Sequence, residues 1–216
     1  MTVKVKICGL TTLPTLEAAL GEGADYVGFV FFPKSPRNLD LKTAASLASI
    51  ARGRAQIVAL FVDPDDAMIN SVIETVAPDI IQLHGRETPE RVAEVAKFTQ
   101  RLVMKAIAVA CETDALRALD YRPAADLILF DAKPPPSAAL PGGNGMTFDW
   151  TLLASVKDRV PYMLSGGLTP DNVVAAIEQT GAYSVDVSSG VESAPGIKDP
   201  ELIRRFLRAV KTANQT

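Results

Sequence analysis

Eight short apolar stretches, each followed by a segment of helical character, repeat along the chain, and this alternation constrains the fold most strongly. The predicted strands cover residues 3–8, 26–32, 57–62, 80–84, 102–109, 127–131, 162–164 and 184–187. Regular strand–helix alternation is typical of a parallel sheet covered by helices. Eight units favour a closed barrel over an open Rossmann sheet, because no G-x-G-x-x-G motif follows the first strand. The sequence therefore predicts an α/β fold in which residues 1–216 form a single-domain (β/α)8 TIM barrel, with its active site at the C-terminal ends of the strands.

The predicted helices alternate with these strands and have ordinary start and end signals. They cover residues 13–22, 41–51, 112–119, 148–156 and 200–212, and two more follow residues 63–65 and open at 88–90. Thr169 with Pro170 predicts the start of a further helix, and Gly181 predicts its end. Only the segment 132–145 is long enough to be a lid over a site; the alternative is a disordered tether.

Two consecutive strands, the seventh and the eighth, end in glycine and serine residues. These residues are Gly166, Gly167, Ser188, Ser189 and Gly190. Glycine backbone N–H groups and serine hydroxyls can surround a phosphate, and in barrel enzymes the loops after strands seven and eight often bind one. One such turn would be explained by glycine's freedom at positive φ, but two at neighbouring strand ends favour a phosphate site.

Two residues at other strand ends are candidates for acid–base chemistry. Cys8 ends the first strand on the same face as Lys6, whose charge is expected to lower the pKa of the thiol and favour the thiolate. Asp131 ends the sixth strand, where burial would raise the pKa of its carboxyl and keep it protonated. The alternatives are a small buried hydrophobe for Cys8 and a structural ion-pair partner for Asp131. A base and an acid on different walls suit an isomerisation by proton transfer, which needs no metal and no redox cofactor.

Composition excludes several other classes of function. Lys and Arg together number 22 against 25 Asp and Glu, and the net charge of -3 argues against general nucleic-acid binding. No apolar run approaches the roughly 20 residues of a membrane span, and the first residues do not form a signal peptide. Two cysteines give no disulfide framework and indicate a reduced, cytoplasmic location. The single histidine, His84, rules out a multi-histidine metal site.

Several spaced motifs, in the right order along essentially the whole chain, resemble the phosphoribosylanthranilate isomerase family. They are KICGL (6–10), GFVFFPKSPR (28–37), QLHG (82–85), LFD (129–131), GGNGMTFDW (142–150), LSGGL (164–168) and VDVSSGVE (185–192), followed by the segment 196–199. The resemblance implies a (β/α)8 barrel of L-tryptophan biosynthesis. Such an enzyme converts N-(5-phosphoribosyl)anthranilate to 1-(2-carboxyphenylamino)-1-deoxyribulose 5-phosphate, which is an Amadori rearrangement.

The same resemblance implies roles for individual residues. Asp131 resembles the family's general acid and Cys8 its general base. Arg37 resembles the cation that meets the anthranilate carboxylate, a role that suits a guanidinium fork. The alternative for Arg37 is a solvated loop arginine. Gly167 and the residues 188–190 would hold the phosphate.

Some assignments stay open at this stage. Asp186 is expected either to contact the substrate or to pair with Lys6, since strands eight and one are neighbours in a closed barrel. His84 is expected to be either a structural histidine or a substrate contact. Asn144 and Met146 depart from the family pattern, in which a threonine or serine and a lysine or arginine are expected. Alternative functions are another phosphosugar barrel enzyme and a non-catalytic phosphate-binding barrel, and both a monomer and a homodimer are compatible with the sequence.

Overall fold

The computed structural model describes residues 2–135, 137–138 and 140–213, and its centre is a closed barrel of eight parallel strands. The strands are β1 (Lys4–Cys8), β2 (Tyr26–Phe31), β3 (Gln56–Phe61), β4 (Ile80–Leu83), β5 (Leu102–Val109), β6 (Leu127–Ala132), β7 (Tyr162–Leu164) and β8 (Ser184–Val187). Each pairs with its neighbours in sequence, and β8 pairs with β1 to close the barrel. The predicted (β/α)8 barrel is confirmed, and each predicted strand agrees with the structure to within one residue at either end.

Helices surround the barrel and follow the strands. They are α1 (Leu13–Gly21), α2 (Leu41–Ala51), α3 (Asp66–Val76), α4 (Pro89–Thr99), α5 (Glu112–Leu116), α6 (Ala118–Tyr121), α7 (Val173–Thr180) and α8 (Pro200–Ala213). Three of them start at a residue whose side chain accepts a hydrogen bond from a backbone N–H in the first turn; these capping residues are Asp40, Asp65 and Thr88. Such caps satisfy donors that would otherwise have no partner, which explains why these starts were readable from the sequence.

Three predicted helices differ from the observed ones. The predicted helix 112–119 is interrupted and becomes α5 and α6. The predicted helix 148–156 is a short 3-10 helix, Trp150–Leu153, followed by turns. Its hydrogen bonds, such as Leu152 N to Asp149 O and Val156 N to Leu153 O, span three residues, which is the tighter spacing of a 3-10 helix.

The third difference concerns the helix expected at Thr169. The helix α7 begins only at Val173, and residues 169–172 form turns. The Asn172 side chain accepts a hydrogen bond from Thr169 N and donates one to Gly167 O, so it holds this segment in a turn. The predicted end is confirmed, because Gly181 has a φ of 66° after the last helical residue.

A small antiparallel hairpin after the eighth strand was not predicted. It consists of β9 (Glu192–Ala194) and β10 (Ile197–Lys198), and a 3-10 helix, Ser189–Val191, connects β8 to it. The hairpin places two charged residues, Glu192 and Lys198, beside the C-terminal end of the barrel.

The interior of the barrel changes from apolar to polar along its axis. One layer is closed by side chains that pack together and are almost fully buried: Tyr26, Val58, Ile80, Met104, Ala106, Leu129 and Met163. Charged residues on the same inner face, Lys6 and Asp186, are also buried and pair with each other. The closed apolar layer forms a floor, so the opening at the C-terminal ends of the strands is a pocket and not a pore.

The last helix, α8, gives a direct test of the packing between helices and barrel. Its buried residues Ile203, Phe206, Leu207 and Val210 follow the spacing of one helix face. We expect Phe206→Ala to lower the free energy of unfolding by about 3–5 kcal/mol, because it removes a fully buried aromatic ring and leaves a cavity. Phe98→Ala is the matched control, since the Phe98 side chain is 39% exposed, and it should cost about 1 kcal/mol or less. Urea unfolding measures both, and equal losses would contradict the packing described here.

Candidate active site

Among the described residues, a cavity opens at the C-terminal ends of the strands. The sequence-predicted site residues all line it: Cys8, Arg37, His84, Asp131, Gly166, Gly167, Asp186, Ser188, Ser189 and Gly190. They come from six of the eight strands or the loops that follow them, and the barrel topology alone brings them together. The structure therefore brings these residues together at one opening, and their functional roles stay predictions.

Cys8 ends β1 and lies on the inner wall with 4% of its surface exposed. Its neighbour in register on β2 is Gly28, where an added Cβ would lie 3.0 Å from the Cys8 sulfur. Burial raises the pKa of the Cys8 thiol above its ordinary value of 9.0; the charge of Lys6 lowers it only partly, and the charge of Asp186 raises it. Lys6 therefore lowers the pKa of the thiol as expected, but the loss of hydration outweighs the nearby cation and the net pKa is raised, not lowered.

Lys6 and Asp186 form a buried ion pair across the seam between β1 and β8. Their Cα atoms are partners in the strand register, and Lys6 Nζ donates to Asp186 Oδ1 at 2.9 Å. The other carboxylate oxygen accepts a hydrogen bond from Ser165 Oγ at 3.1 Å. Burial lowers the pKa of Lys6, but Asp186 and Cys8 together outweigh this effect and raise it. The pairing expected for Asp186 is thus present, while its second expected role, a contact with substrate, stays a prediction.

Asp131 ends the inner face of β6 and is held from two sides. Its Oδ1 accepts a hydrogen bond from Ala132 N at 2.9 Å, and its Oδ2 lies 3.3 Å from His84 Nε2. The other ring nitrogen of His84 lies 3.2 Å from Gln82 Nε2. If the Gln82 amide donates, His84 accepts at Nδ1 and carries its proton on Nε2, directed at Asp131. His84 is therefore both a partner of Asp131 and part of the cavity wall.

Arg37 is buried, with 5% of its surface exposed, so it is not a solvated loop arginine. Its Nε and Nη2 donate to the two oxygens of Glu192 at 2.7 and 2.8 Å. This is the parallel, two-pronged contact for which a guanidinium is suited. Nη2 also donates to Gly143 O at 3.2 Å. The guanidinium is thus fixed in one orientation at the edge of the cavity.

The two glycine–serine turns lie side by side, as predicted. Gly166 and Gly167 have φ values of 88° and 61°, which favour glycine. A Cβ on Gly190 would lie 1.8 Å from Leu168 O, so the turn after β8 approaches the turn after β7 closely. The ordinary turn explanation therefore holds for the glycines after β7, and phosphate binding stays a prediction. Because α7 begins at Val173, its N-terminus does not directly follow these glycines as the sequence indicated.

The long segment after β6 lies over the cavity. Pro134 and residues 140–146 line it, and residues 136 and 139 of the predicted lid fall outside the described part of the chain. A Cβ on Gly142 would lie 2.6 Å from His84 Nε2 and 2.7 Å from Asp131 Oδ2, so only glycine permits this approach. The departures from the family pattern lie in the same segment: Asn144 donates to Leu140 O, and Met146 is 47% exposed.

Three polar residues around this cavity were missed by sequence reasoning. Glu192 and Lys198 lie in the matched motifs 185–192 and 196–199, but neither spacing nor composition indicated a role for them. Gln82 precedes His84 by two residues, so strand alternation placed it on the same face and could have indicated it. Gln82 Oε1 is buried and has no hydrogen-bond partner within the described residues.

The described residues contain neither a cluster of metal ligands nor a membrane-spanning helix. No three or more His, Cys, Asp and Glu side chains in them are grouped so as to hold a metal ion. No helix among residues 2–135, 137–138 and 140–213 is long and apolar enough to cross a membrane.

Comparison with known proteins gives one consistent result over the whole chain. The family model for N-(5'phosphoribosyl)anthranilate (PRA) isomerase matches residues 5–209. The N-(5'-phosphoribosyl)anthranilate isomerase of Rhodopseudomonas palustris strain BisA53 is 55% identical over 215 residues, covering 100% of this chain and 99% of the relative.

Solved structures agree with this sequence comparison. The crystal structure of phosphoribosyl anthranilate isomerase from Thermotoga maritima is 40% identical, with a TM-score of 0.89 over 98% of this chain and 100% of that one. A crystal structure of phosphoribosyl anthranilate isomerase in complex with reduced 1-(o-carboxyphenylamino)-1-deoxyribulose 5-phosphate is 38% identical, with a TM-score of 0.85 and the same coverage. The chain therefore belongs to the N-(5'-phosphoribosyl)anthranilate isomerase family.

Proposed function

We propose that this protein converts N-(5-phosphoribosyl)anthranilate to 1-(2-carboxyphenylamino)-1-deoxyribulose 5-phosphate in L-tryptophan biosynthesis. The observation that carries the proposal is that Cys8 and Asp131, from β1 and β6, line one cavity together with Arg37 and two glycine–serine turns. A proton donor, a proton acceptor and sites for two anionic ends are what this Amadori rearrangement requires. The family relationship and the relative crystallised with a reduced product analogue support the same reaction.

In the first step, Asp131 acts as the general acid. It gives a proton to the furanose ring oxygen, and the ring C–O bond breaks as the anilino nitrogen lone pair forms a Schiff base. Both carboxyl oxygens are held in place, because Ala132 N donates to Oδ1 and His84 Nε2 lies beside Oδ2. A fixed carboxyl avoids the entropic cost of orienting the acid during the reaction.

In the second step, Cys8 acts as the general base. The thiolate removes the C2 proton of the Schiff base, which gives an enolamine that tautomerises to the ketone. Because burial raises the pKa of the thiol, only a small fraction is thiolate at neutral pH, and the charge of Lys6 favours that fraction. The rate should therefore rise with pH toward the pKa of Cys8.

The two anionic ends of the substrate would bind on other walls of the cavity. Arg37 would meet the anthranilate carboxylate, and residues 166–167 and 188–190 would surround the phosphate with backbone N–H groups and hydroxyls. His84 and Asp186 would complete the wall between the reacting atoms. Residues 140–146 would exclude water from the reaction.

The proposal extends to the organisation and location of the chain. One barrel domain would span residues 1–216, since strands from Lys4 to Val187 share one closed sheet and α8 packs on α1. Both cysteines are free, which suits a reduced cytoplasm.

The first test removes the acid and the base separately. Loss of anthranilate-type fluorescence, followed with freshly generated substrate, EDTA and no added cofactor, should report rapid conversion by the wild type. We expect Cys8→Ser and Asp131→Asn each to lower kcat by at least about 10²-fold, because each removes one proton transfer, while binding of a product analogue is retained. Cys111→Ser is the matched control and should keep full activity, since Cys111 is exposed and outside the cavity.

Each alternative outcome of this test has a definite meaning. Near-normal turnover by Cys8→Ser or Asp131→Asn would make the assigned role wrong. No conversion by folded wild type would indicate another phosphosugar substrate. Binding of the product analogue without any turnover would favour a non-catalytic phosphate-binding barrel.

The second test concerns the ionisation of Cys8. We expect Lys6→Met to raise the pKa of the Cys8 thiol further, because it removes a nearby cation and leaves the charge of Asp186 uncompensated. Thiolate absorbance against pH, measured in a Cys111→Ser background, should shift to higher pH, and so should the rise in kcat/KM. Lys4→Met, at the exposed start of β1, is the matched control. An unchanged thiol pKa in folded Lys6→Met would disprove the electrostatic contribution of Lys6.

A further inference from the structure

A buried cluster of charges connects the two ends of the cavity where the anionic groups are expected. Glu192, at the start of β9, is the centre, and its side chain is 4% exposed. It accepts two hydrogen bonds from Arg37, one from Lys198 Nζ at 2.5 Å and one from Gly196 N at 3.1 Å. The Lys198 side chain is fully buried. The cluster therefore contains one anion and two cations, all removed from water.

The contact between Glu192 and Arg37 determines the orientation of the guanidinium group. Glu192 occupies the edge formed by Nε and Nη2, so the remaining group, Nη1, is directed away from Glu192. Nη1 lies toward Gly143, whose added Cβ would be 2.7 Å away, and Gly143 lines the cavity. A two-pronged carboxylate contact is planar and directional, so it fixes the plane of the guanidinium as well as its position.

Lys198 acts in the same manner on Ser188. Its Nζ donates to Ser188 O at 2.9 Å and lies 3.2 Å from Ser188 Oγ. An ammonium group can only donate, so the Ser188 hydroxyl oxygen accepts from Lys198 and its own hydrogen is left for another acceptor. Ser188 lines the cavity, at the turn where the phosphate is expected.

The charge of the cluster suits anionic ligands. One carboxylate against two cations leaves an excess positive charge beside the cavity, and an uncompensated buried charge is costly. Although burial raises the pKa of Glu192, hydrogen bonds from Arg37 and the charge of Lys198 bring it below its usual value, so Glu192 stays ionised. Burial lowers the pKa of Lys198 despite Glu192, so an anion bound nearby would stabilise its charged form.

We propose that Glu192 and Lys198 are positioning residues for the isomerisation: Glu192 orients Arg37 toward the substrate carboxylate, and Lys198 orients the Ser188 hydroxyl toward the phosphate. This inference rests on the proposed function. Neither residue needs to touch the substrate. Their effect is to fix two donors before the substrate arrives, which reduces the entropic cost of binding.

The first part is tested with Glu192→Gln. The amide has the same shape but puts an NH2 group against Arg37, where two donors would face each other. We expect KM to rise roughly tenfold or more, as for loss of a charged hydrogen bond, with a much smaller change in kcat. In an Arg37→Met background the same substitution should raise KM by less than it does in the wild type, because the part of its effect that passes through Arg37 is already lost.

The second part is tested with Lys198→Met and Ser188→Ala. We expect Lys198→Met to raise KM by roughly tenfold, and to add little in the Ser188→Ala background. A second readout needs no turnover: inorganic phosphate should raise the thermal unfolding temperature of the wild type, and Lys198→Met should reduce that shift. If Lys198→Met fails to fold, Ser188→Ala with inorganic phosphate tests the same hydroxyl.

Controls and contrary outcomes separate this inference from the proposed function. Glu17→Gln and Lys211→Met remove exposed charges in ion pairs far from the cavity and should leave KM unchanged. Additive effects in the double variants, or lower unfolding temperatures with unchanged KM, would overturn the positioning role while the isomerase activity stands. If the wild type converts no substrate, the proposed function fails. In that case the phosphate measurement still tests Lys198: if inorganic phosphate does not raise the unfolding temperature of the wild type, the role of Lys198 is wrong. If the enzyme is active, an unchanged KM in Glu192→Gln would show that Glu192 does not position Arg37. Glu192→Asp replaces Glu192→Gln if the latter does not fold.

Discussion

The ion pair between Lys6 and Asp186 is the interaction on which the rest of the site depends. It lies where the last strand meets the first, and the two residues are direct partners in the strand register. Removing one partner of a buried ion pair leaves the other charge in a medium that solvates it poorly, which typically lowers the free energy of unfolding by about 3–5 kcal/mol. The pair lies two residues before Cys8 on β1 and two residues before Ser188, which follows β8, and both of these residues line the same cavity.

The same pair sets the electrostatic environment of Cys8. Lys6 lowers the pKa of the thiol and Asp186 raises it, so the two charges partly cancel and burial decides the direction. A thiol with a raised pKa is a stronger base once ionised, although less of it is ionised. This arrangement suits removal of a carbon-bound proton, where basicity matters more than nucleophilicity.

Two separate groups of hydrogen-bonded polar residues lie around the cavity. On one side, Asp131 is held by Ala132 N and His84, and His84 is held by Gln82. On the other side, Glu192 joins Arg37 to Lys198. Gly142 of the covering loop lies directly against His84 and Asp131, because an added Cβ at this position would collide with both side chains. The proposed proton transfer and the proposed anion binding therefore rest on separate contacts.

The barrel, and the opening at which its polar side chains meet, could be predicted from the sequence. Strand alternation, helix caps and glycine turns are local features, and eight repeated units admit one closed arrangement, so Cys8, Asp131 and Arg37 could be placed at one opening. The prediction of a helix at residues 148–156 was wrong, because local propensity does not distinguish an α-helix from the short 3-10 helix and turns that form there. The raised pKa of Cys8 and the choice of Lys6 as partner of Asp186 depend on burial and on contacts between distant strands. These features depend on the folded barrel, and so does the contact between Arg37 and Glu192, because the two residues lie far apart in the chain and the energy of their buried contact depends on the removal of water.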